Sequence, residues 1–305
     1  MRHIIANKLF FSILGTIIVI GCISHYSTTT ETKKAEEFAN SYSRGKNLAF
    51  NICGQCHYNE TEKRFIGKLM GDLPDFMGDV YSANLTHSIQ YGVLTKYTDA
   101  ELAYLLKTGI NREGKYVPWM PRPNLADTDI NDITIFLRSN DSAVMAVDKL
   151  AGKTEISLLG KIGTRIAGKP FPYKKGIEAP DKKDSIAYGK YLIDNLACYH
   201  CHSKSIMGLD YLQPEKSKGY MAGGMRFKTS GGKKIYSANL SPDNETGIGN
   251  YTKYDFRKIL QRGLRPEGDS IHLPMQKFKH LANKQSDAIY YYLKSLKPVK
   301  NKLKK

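Results

Sequence analysis

The chain has 305 residues, 41% of them hydrophobic, with one tryptophan and a formal net charge of +17. That length and apolar content are enough for two domains of ordinary size with real cores, and exclude a chain too small or too polar to bury one. So large a basic surplus invites nucleic acid as a partner, but the start of the chain argues against it.

Residues 1–21 read as an export signal. Arg2 and Lys8 form a basic start, and Leu9 to Ile20 an apolar stretch, shorter than the roughly 20 residues of a membrane span. Val19-Ile20-Gly21-Cys22 resembles the lipobox of bacterial lipoproteins, in which the cysteine is lipidated and becomes the mature N-terminus. The competing reading is a cysteine in an uncleaved N-terminal anchor. Either reading places the chain outside the cytoplasm, on the periplasmic side and held to a bacterial membrane. No nucleic acid is expected there, and the positive charge points to acidic protein surfaces or anionic headgroups. Residues 22–40, rich in Ser, Thr, Lys and Glu, read as a flexible tether.

Two copies of a five-residue pattern then organise the sequence: Cys53-Gly54-Gln55-Cys56-His57 and Cys198-Tyr199-His200-Cys201-His202. The pattern C-x-x-C-H is that of covalent c-type haem attachment: two thiols bond one haem, and the adjacent histidine ligates its iron. Two zinc half-sites would leave both histidines unexplained. With four cysteines on two haems and Cys22 on lipid, none of the five is left over.

Other features recur with the motifs. Tyr81-Ser-Ala-Asn-Leu85 returns unchanged as Tyr236-Ser-Ala-Asn-Leu240, and Tyr97-Thr98, Gly109 and Met120 return as Tyr251-Thr252, Gly263 and Met275. Phe136-Leu137-Arg138-Ser139 matches Tyr292-Leu293-Lys294-Ser295. Such density means two copies of one domain, at 41–140 and 185–297. Ten extra residues in the second copy fall between His202 and Tyr236, in a Gly- and Lys-rich loop. Each copy reads as all-α with long loops around one haem. Short helices are predicted over Gly45–Ile52 and Gly189–Leu196, and closing helices over Asp129–Ser139 and Ser286–Leu296. Thr98-Asp-Ala-Glu101 has the form of a capping box, with its counterpart at Thr252, and Gly263 sits where a helix would be capped. The linker, 141–184, is expected to pack across one copy, with a helix possible over Ile156–Ile166. The tail, 298–305, is lysine-rich and expected to be frayed.

For the sixth iron ligand, Met120 in Val117-Pro-Trp-Met-Pro121 and Met275 in Leu273-Pro-Met275 stand at matching positions beside proline. A His/Met site suits electron transfer, whereas an open site suits peroxide chemistry. His87 rivals Met120, and His272 and His280 rival Met275, but none of the three recurs in the other copy; they are expected to be solvated loop residues. Met221 and Met225 are expected in a loop covering the second haem. His200, between two haem cysteines, is badly placed as a ligand.

Ala238-Asn239-Leu240-Ser-Pro242-Asp243-Asn-Glu-Thr246-Gly247-Ile248-Gly249-Asn-Tyr251-Thr252, followed by Asp255-Phe256, Gly263 and Pro274-Met275, resembles the class I cytochrome c superfamily. The second copy in particular is similar to haem domains in the cytochrome subunits of membrane-bound bacterial alcohol and sugar-acid dehydrogenases. The first copy has Gln90-Tyr-Gly-Val93 in place of the T-G-I-G run, and the chain has two haem motifs where those subunits usually have three. The resemblance implies Cys53, Cys56, Cys198 and Cys201 as attachment points, His57 and His202 as proximal ligands, and Met120 and Met275 as distal ones. It also implies that Gly45 and Gly189 let the first helix of each copy cross the last, beside Phe136 and Tyr292. The expectation is a dihaem electron carrier with two covalent haem c groups. It would relay single electrons between a membrane dehydrogenase or quinol-oxidising complex and a terminal oxidase or another cytochrome, through redox partners with acidic docking surfaces. It would have no small-molecule substrate and no enzymatic step of its own; the alternative is a dihaem peroxidase-like enzyme with one open haem.

Overall fold

In the computed structural model, residues 33–71, 73, 75–228 and 232–302 are described. The export signal, Cys22 and the front of the tether lie outside the described residues. The chain is helical over 33–48 (α1), so the rear of the expected tether, 33–40, is an exposed helix that runs on into the first copy.

Each copy is built on one helix crossing. In the first, α1 meets α4 (Asp127–Leu137); in the second, α6 (Ser185–Asn195) meets α9 (Asn283–Ser295). Glycine at the crossing is required by contact. A Cβ on Gly45 would lie 1.8 Å from the Asp132 carbonyl oxygen, and one on Gly189 would lie 2.0 Å from that of Ala288. Around the crossings Ile133, Phe136, Ile193, Ile289 and Leu293 are fully buried.

The third helix of each copy begins and ends by local chemistry. Thr98 and Glu101 form a reciprocal capping box at α3 (Asp99–Thr108), and Thr252 and Asp255 form one at α8 (Lys253–Arg262). Both helices stop at a left-handed glycine, Gly109 (φ 80°) and Gly263 (φ 75°), a conformation that side chains with a Cβ resist. Among the described residues, strand is confined to two antiparallel ribbons, β1 (Gly78–Asp79) with β2 (Glu155–Ile156) and β3 (Arg226–Lys228) with β4 (Lys234–Tyr236).

The segment after the first copy belongs largely to that copy. Asn84 Nδ2 donates to the carbonyls of Val147 and Lys149, at 3.1 and 3.0 Å. Helix α5 (Leu158–Ala167) packs on the turn Asp75–Met77. Beyond it, Phe171 N–H donates to Thr108, Asp127 N–H to Ile177, and the buried Lys107 to the Lys174 carbonyl. The first copy therefore reaches past 140, and 141–184 wraps it.

The tail is a correction. As far as residue 302 it is docked, in the same manner as Val147 and Lys149. Asn239 Nδ2 donates to the Val299 carbonyl at 2.7 Å, Val299 N–H donates to Ser241 Oγ at 3.0 Å, Asn301 N–H donates to Thr246 Oγ1 at 3.0 Å, and Asn301 Nδ2 donates to the Ala222 carbonyl at 2.8 Å. The described lysines Lys297, Lys300 and Lys302 are exposed, with Lys300 in a surface ion pair with Glu245, while main-chain groups and the Asn301 amide make the docking bonds. Removing 299–305 is expected to cost about 2–4 kcal/mol, at ~1 kcal/mol for each lost bond. An unchanged denaturation midpoint would show that the docking contributes nothing.

The two copies interlock reciprocally. The segment of copy one that follows Met120 lies on the haem-motif helices of copy two: Ala126 N–H donates to Tyr191 Oη, and Tyr191 Oη–H donates to Asp129 at 2.5 Å. The segment that follows Met275 lies in the same way on copy one. Asn47 Nδ2 donates to the His280 carbonyl at 2.6 Å, and Gln285 Nε2 to Asn47 Oδ1 at 2.8 Å. Gln276 Nε2 donates to the Gln55 carbonyl at 2.9 Å, and the rings of Phe50 and His280 lie 4.1 Å apart. Buried residues of both copies join in one continuous apolar cluster.

Candidate functional site

The first haem motif follows a local widening of the helix. Over Ala49–Cys53 the turns become π-type, and Gly54 N–H reaches back five residues to Ala49 before the short helix α2 (Gly54–His57). A wide turn of this kind re-aims the side chains that follow it. The second copy breaks differently, with Ala197 in the left-handed region (φ 57°) between α6 and α7 (Cys198–His202). In both, one helical turn carries the two cysteines and the histidine.

The histidine of each motif is held by the repeated Tyr-Ser-Ala-Asn-Leu. His57 Nδ1 lies 2.8 Å from the Ala83 carbonyl, and His202 Nδ1 lies 2.8 Å from the Ala238 carbonyl. A carbonyl only accepts, so Nδ1 carries the proton and Nε2 the lone pair. Burial lowers both imidazole pKa values and keeps the rings neutral, the form that binds a metal. Gly67 and Gly223 complete the cradle, donating to the His57 and His202 carbonyls at 2.8 and 2.9 Å. Both have positive φ, and a Cβ on either would strike the backbone of the pentapeptide within 2.4 Å. These partners were not among the expected site residues. The signal was the pentapeptide's unchanged repetition, which the His57 and His202 contacts explain.

Burial pushes the Cys53 and Cys198 thiols up to about 12. A thiol held neutral is not poised as the nucleophile of a redox dithiol. Among the described residues, no group of three or more His, Cys, Asp or Glu side chains gathers to hold a metal ion. Two thiols that could be joined to a haem and one neutral imidazole that could ligate its iron, set against an apolar cluster, are what a c-type haem takes, so the residues present fit that group.

Met120 and Met275 are half-buried and packed against the apolar cluster. Their loops are clipped by matching backbone bonds to the ends of α3 and α8. Val117 donates to Gly109 and Arg122 to Leu106 in one copy; Ile271 donates to Gly263 and Phe278 to Leu260 in the other. The rival histidines have other partners. His87 Nε2 lies 2.8 Å from the Leu137 carbonyl and is not the solvated residue expected; His280 is exposed, as expected, with its ring against Phe50. His272 is exposed. Met221 is fully buried at the place that Phe65 fills in copy one: Leu240 N–H donates to Met221 as Leu85 N–H does to Phe65. It is a core residue beside the proximal loop. His200 is half-buried against Tyr199 and Tyr211, with its buried Nε2 unpaired, and desolvation together with the Arg122 charge lowers its pKa to about 3.

No protein-family model matches the chain. The chain is similar to cytochrome c subunits of dehydrogenases. Over 117 residues, 37% of this chain and 22% of the relative, it is 35% identical to the cytochrome c subunit of a quinone-dependent alcohol dehydrogenase from Gluconobacter oxydans. Over 140 residues, 45% of this chain and 26% of the relative, it is 29% identical to the fructose dehydrogenase cytochrome subunit of Gluconobacter japonicus. The cytochrome c subunit of gluconate 2-dehydrogenase from Pantoea cypripedii is 32% identical over 114 residues, 36% of this chain and 23% of the relative. The matches thus span about a quarter of those subunits. A Kuenenia stuttgartiensis reducing HAO-like protein complex aligns over 83% of this chain and 94% of its own at a TM-score of 0.24 and 15% identity, too low a likeness to carry an argument.

Proposed function

We propose that this chain is a dihaem c-type cytochrome that relays single electrons. The observation that carries the reading is the doubled cradle: two C-x-x-C-H turns, each with its histidine oriented through Nδ1 by the same pentapeptide carbonyl. Similarity to dehydrogenase cytochrome c subunits supports haem c as the group and electron transfer as the task. It favours a carrier over the dihaem peroxidase, and a dehydrogenase as one redox partner. Haem iron supplies a one-electron couple; the protein's residues attach it, orient its ligands and exclude water.

Met120 and Met275 are proposed as distal ligands, each on a loop clipped at both ends to the preceding helix. Cys22 is proposed as the lipid attachment point, which would hold the carrier to a membrane on the periplasmic side. The +17 charge supports acidic docking faces on its partners. Expressed with haem-attachment machinery, the wild type is expected to bind two haems per chain and the Cys198→Ala/Cys201→Ala variant one. The wild type should cycle between reduced and oxidised forms without turning over peroxide. A single haem, or peroxide turnover at a rate comparable to electron exchange, would overturn the reading.

A further inference from the structure

Resting on the dihaem reading, we infer that Arg122 is a positive charge shared by both haem sites, raising the reduction potential of each. Arg122 stands two residues after Met120, and its backbone N–H clips that loop to Leu106. Its side chain crosses to the other copy. Nε donates to the Asn195 carbonyl at 2.9 Å, at the end of α6 and three residues before Cys198, while Nη1 donates to the Pro121 and Trp119 carbonyls at 2.8 and 3.3 Å.

Every one of these acceptors is a main-chain carbonyl, and no carboxylate among the described residues forms an ion pair with Arg122. Neutral acceptors hold the guanidinium in place and leave its charge uncompensated. The charge thus stands two residues after Met120 of the first site and, through the Asn195 carbonyl, three residues before Cys198 of the second. The interlock is reciprocal in its backbone but not in this cation: the corresponding position in copy two, donating to Leu260 as Arg122 does to Leu106, is Phe278.

An oxidised haem carries one more positive charge than a reduced one. A fixed cation nearby therefore disfavours the oxidised form, and in a half-buried joint salt screens it little. Arg122 is a positioning and tuning residue, touching neither iron.

The test is a redox titration of wild type, Arg122→Lys and Arg122→Gln at low and high ionic strength, with haem content measured first. Arg122→Gln is expected to lower both midpoint potentials, with the shift persisting at high salt, while Arg122→Lys stays close to wild type. If the glutamine variant does not assemble, Arg122→Met, of similar length, replaces it. Unchanged potentials, a shift at one haem only, or a lysine variant that falls as far as the neutral one would each overturn the inference. Wild type with fewer than two haems would sink the dihaem reading and this inference together; two haems with unmoved potentials would sink this inference alone.

Discussion

Valine in place of Gly189 is expected to destabilise the folded chain by about 3–5 kcal/mol, the upper range for one substitution. The new Cβ would sit 2.0 Å from the Ala288 carbonyl oxygen and 2.9 Å from the Tyr292 Cβ. Neither obstacle is the movable end of a side chain, so α6 and α9 must part. Parting them unpacks Ile193, Ile289 and Leu293, all buried at the crossing. The damage should not stay in the second copy. Helix α9 begins beside Gln285, which bonds Asn47 of the first copy, and His280 rests on Phe50. Denaturation followed at either haem should therefore give one shared transition, moved to lower denaturant. Gly45→Val should behave alike, because its Cβ would meet Asp132 at 1.8 Å. Two separate transitions, with the first copy untouched by Gly189→Val, would show that the copies are independent domains.

Replacing Met275 with alanine is expected to remove His/Met spectral character at one haem only. The potential at that site should fall on the order of 0.2 V, a fraction of the ~0.8 V that axial ligation spans, and carbon monoxide should bind there. The loop itself should survive, because Ile271 and Phe278 clip it to α8 through backbone bonds that the substitution does not touch. His272, at the start of the same turn and accepting through its carbonyl from Met275 N–H at 3.0 Å, is the replacement ligand to watch for. Met120→Ala should do the same at the other haem. Retention of two His/Met haems with unchanged potentials in Met275→Ala would remove Met275 from the ligand set. Met221 would not be the substitute, since it is fully buried and its carbonyl accepts from Leu240 N–H, as that of Phe65 does from Leu85 in the first copy.

Several features of this protein were legible in one dimension because the physics that makes them is local. Two cysteines and a histidine within five residues share one helical turn. A threonine three residues before an acid caps a helix through bonds that span only that turn, as Thr98 and Thr252 do. Glycine at matching positions marks contact or left-handed backbone wherever it falls, and here it does both, at Gly45 and Gly109 and at Gly189 and Gly263. Repetition extended this reach: a pentapeptide kept intact in both copies announced a role before any partner for it was visible.

What the tertiary structure decided depends on main-chain groups, which carry no residue identity. The carbonyls of Ala83 and Ala238 set the tautomer of His57 and His202, yet nothing in an alanine points to a histidine 26 or 36 residues away. The tail read as frayed because its lysines dominate its composition, whereas the backbone of Val299 and Asn301 ties it down. His87 read as solvated because its contact with the Leu137 carbonyl, 50 residues away, leaves no periodic trace. The interlock of the copies escaped for the same reason. It is made by Gln276, His280 and Gln285 against helices more than 200 residues earlier, and by Arg122, which reaches α6 only because the fold brings a carbonyl of one copy to a loop of the other. Local hydrogen bonding and backbone sterics are written in the order of the residues; electrostatic neighbourhood is not, since it depends on distances that only packing sets.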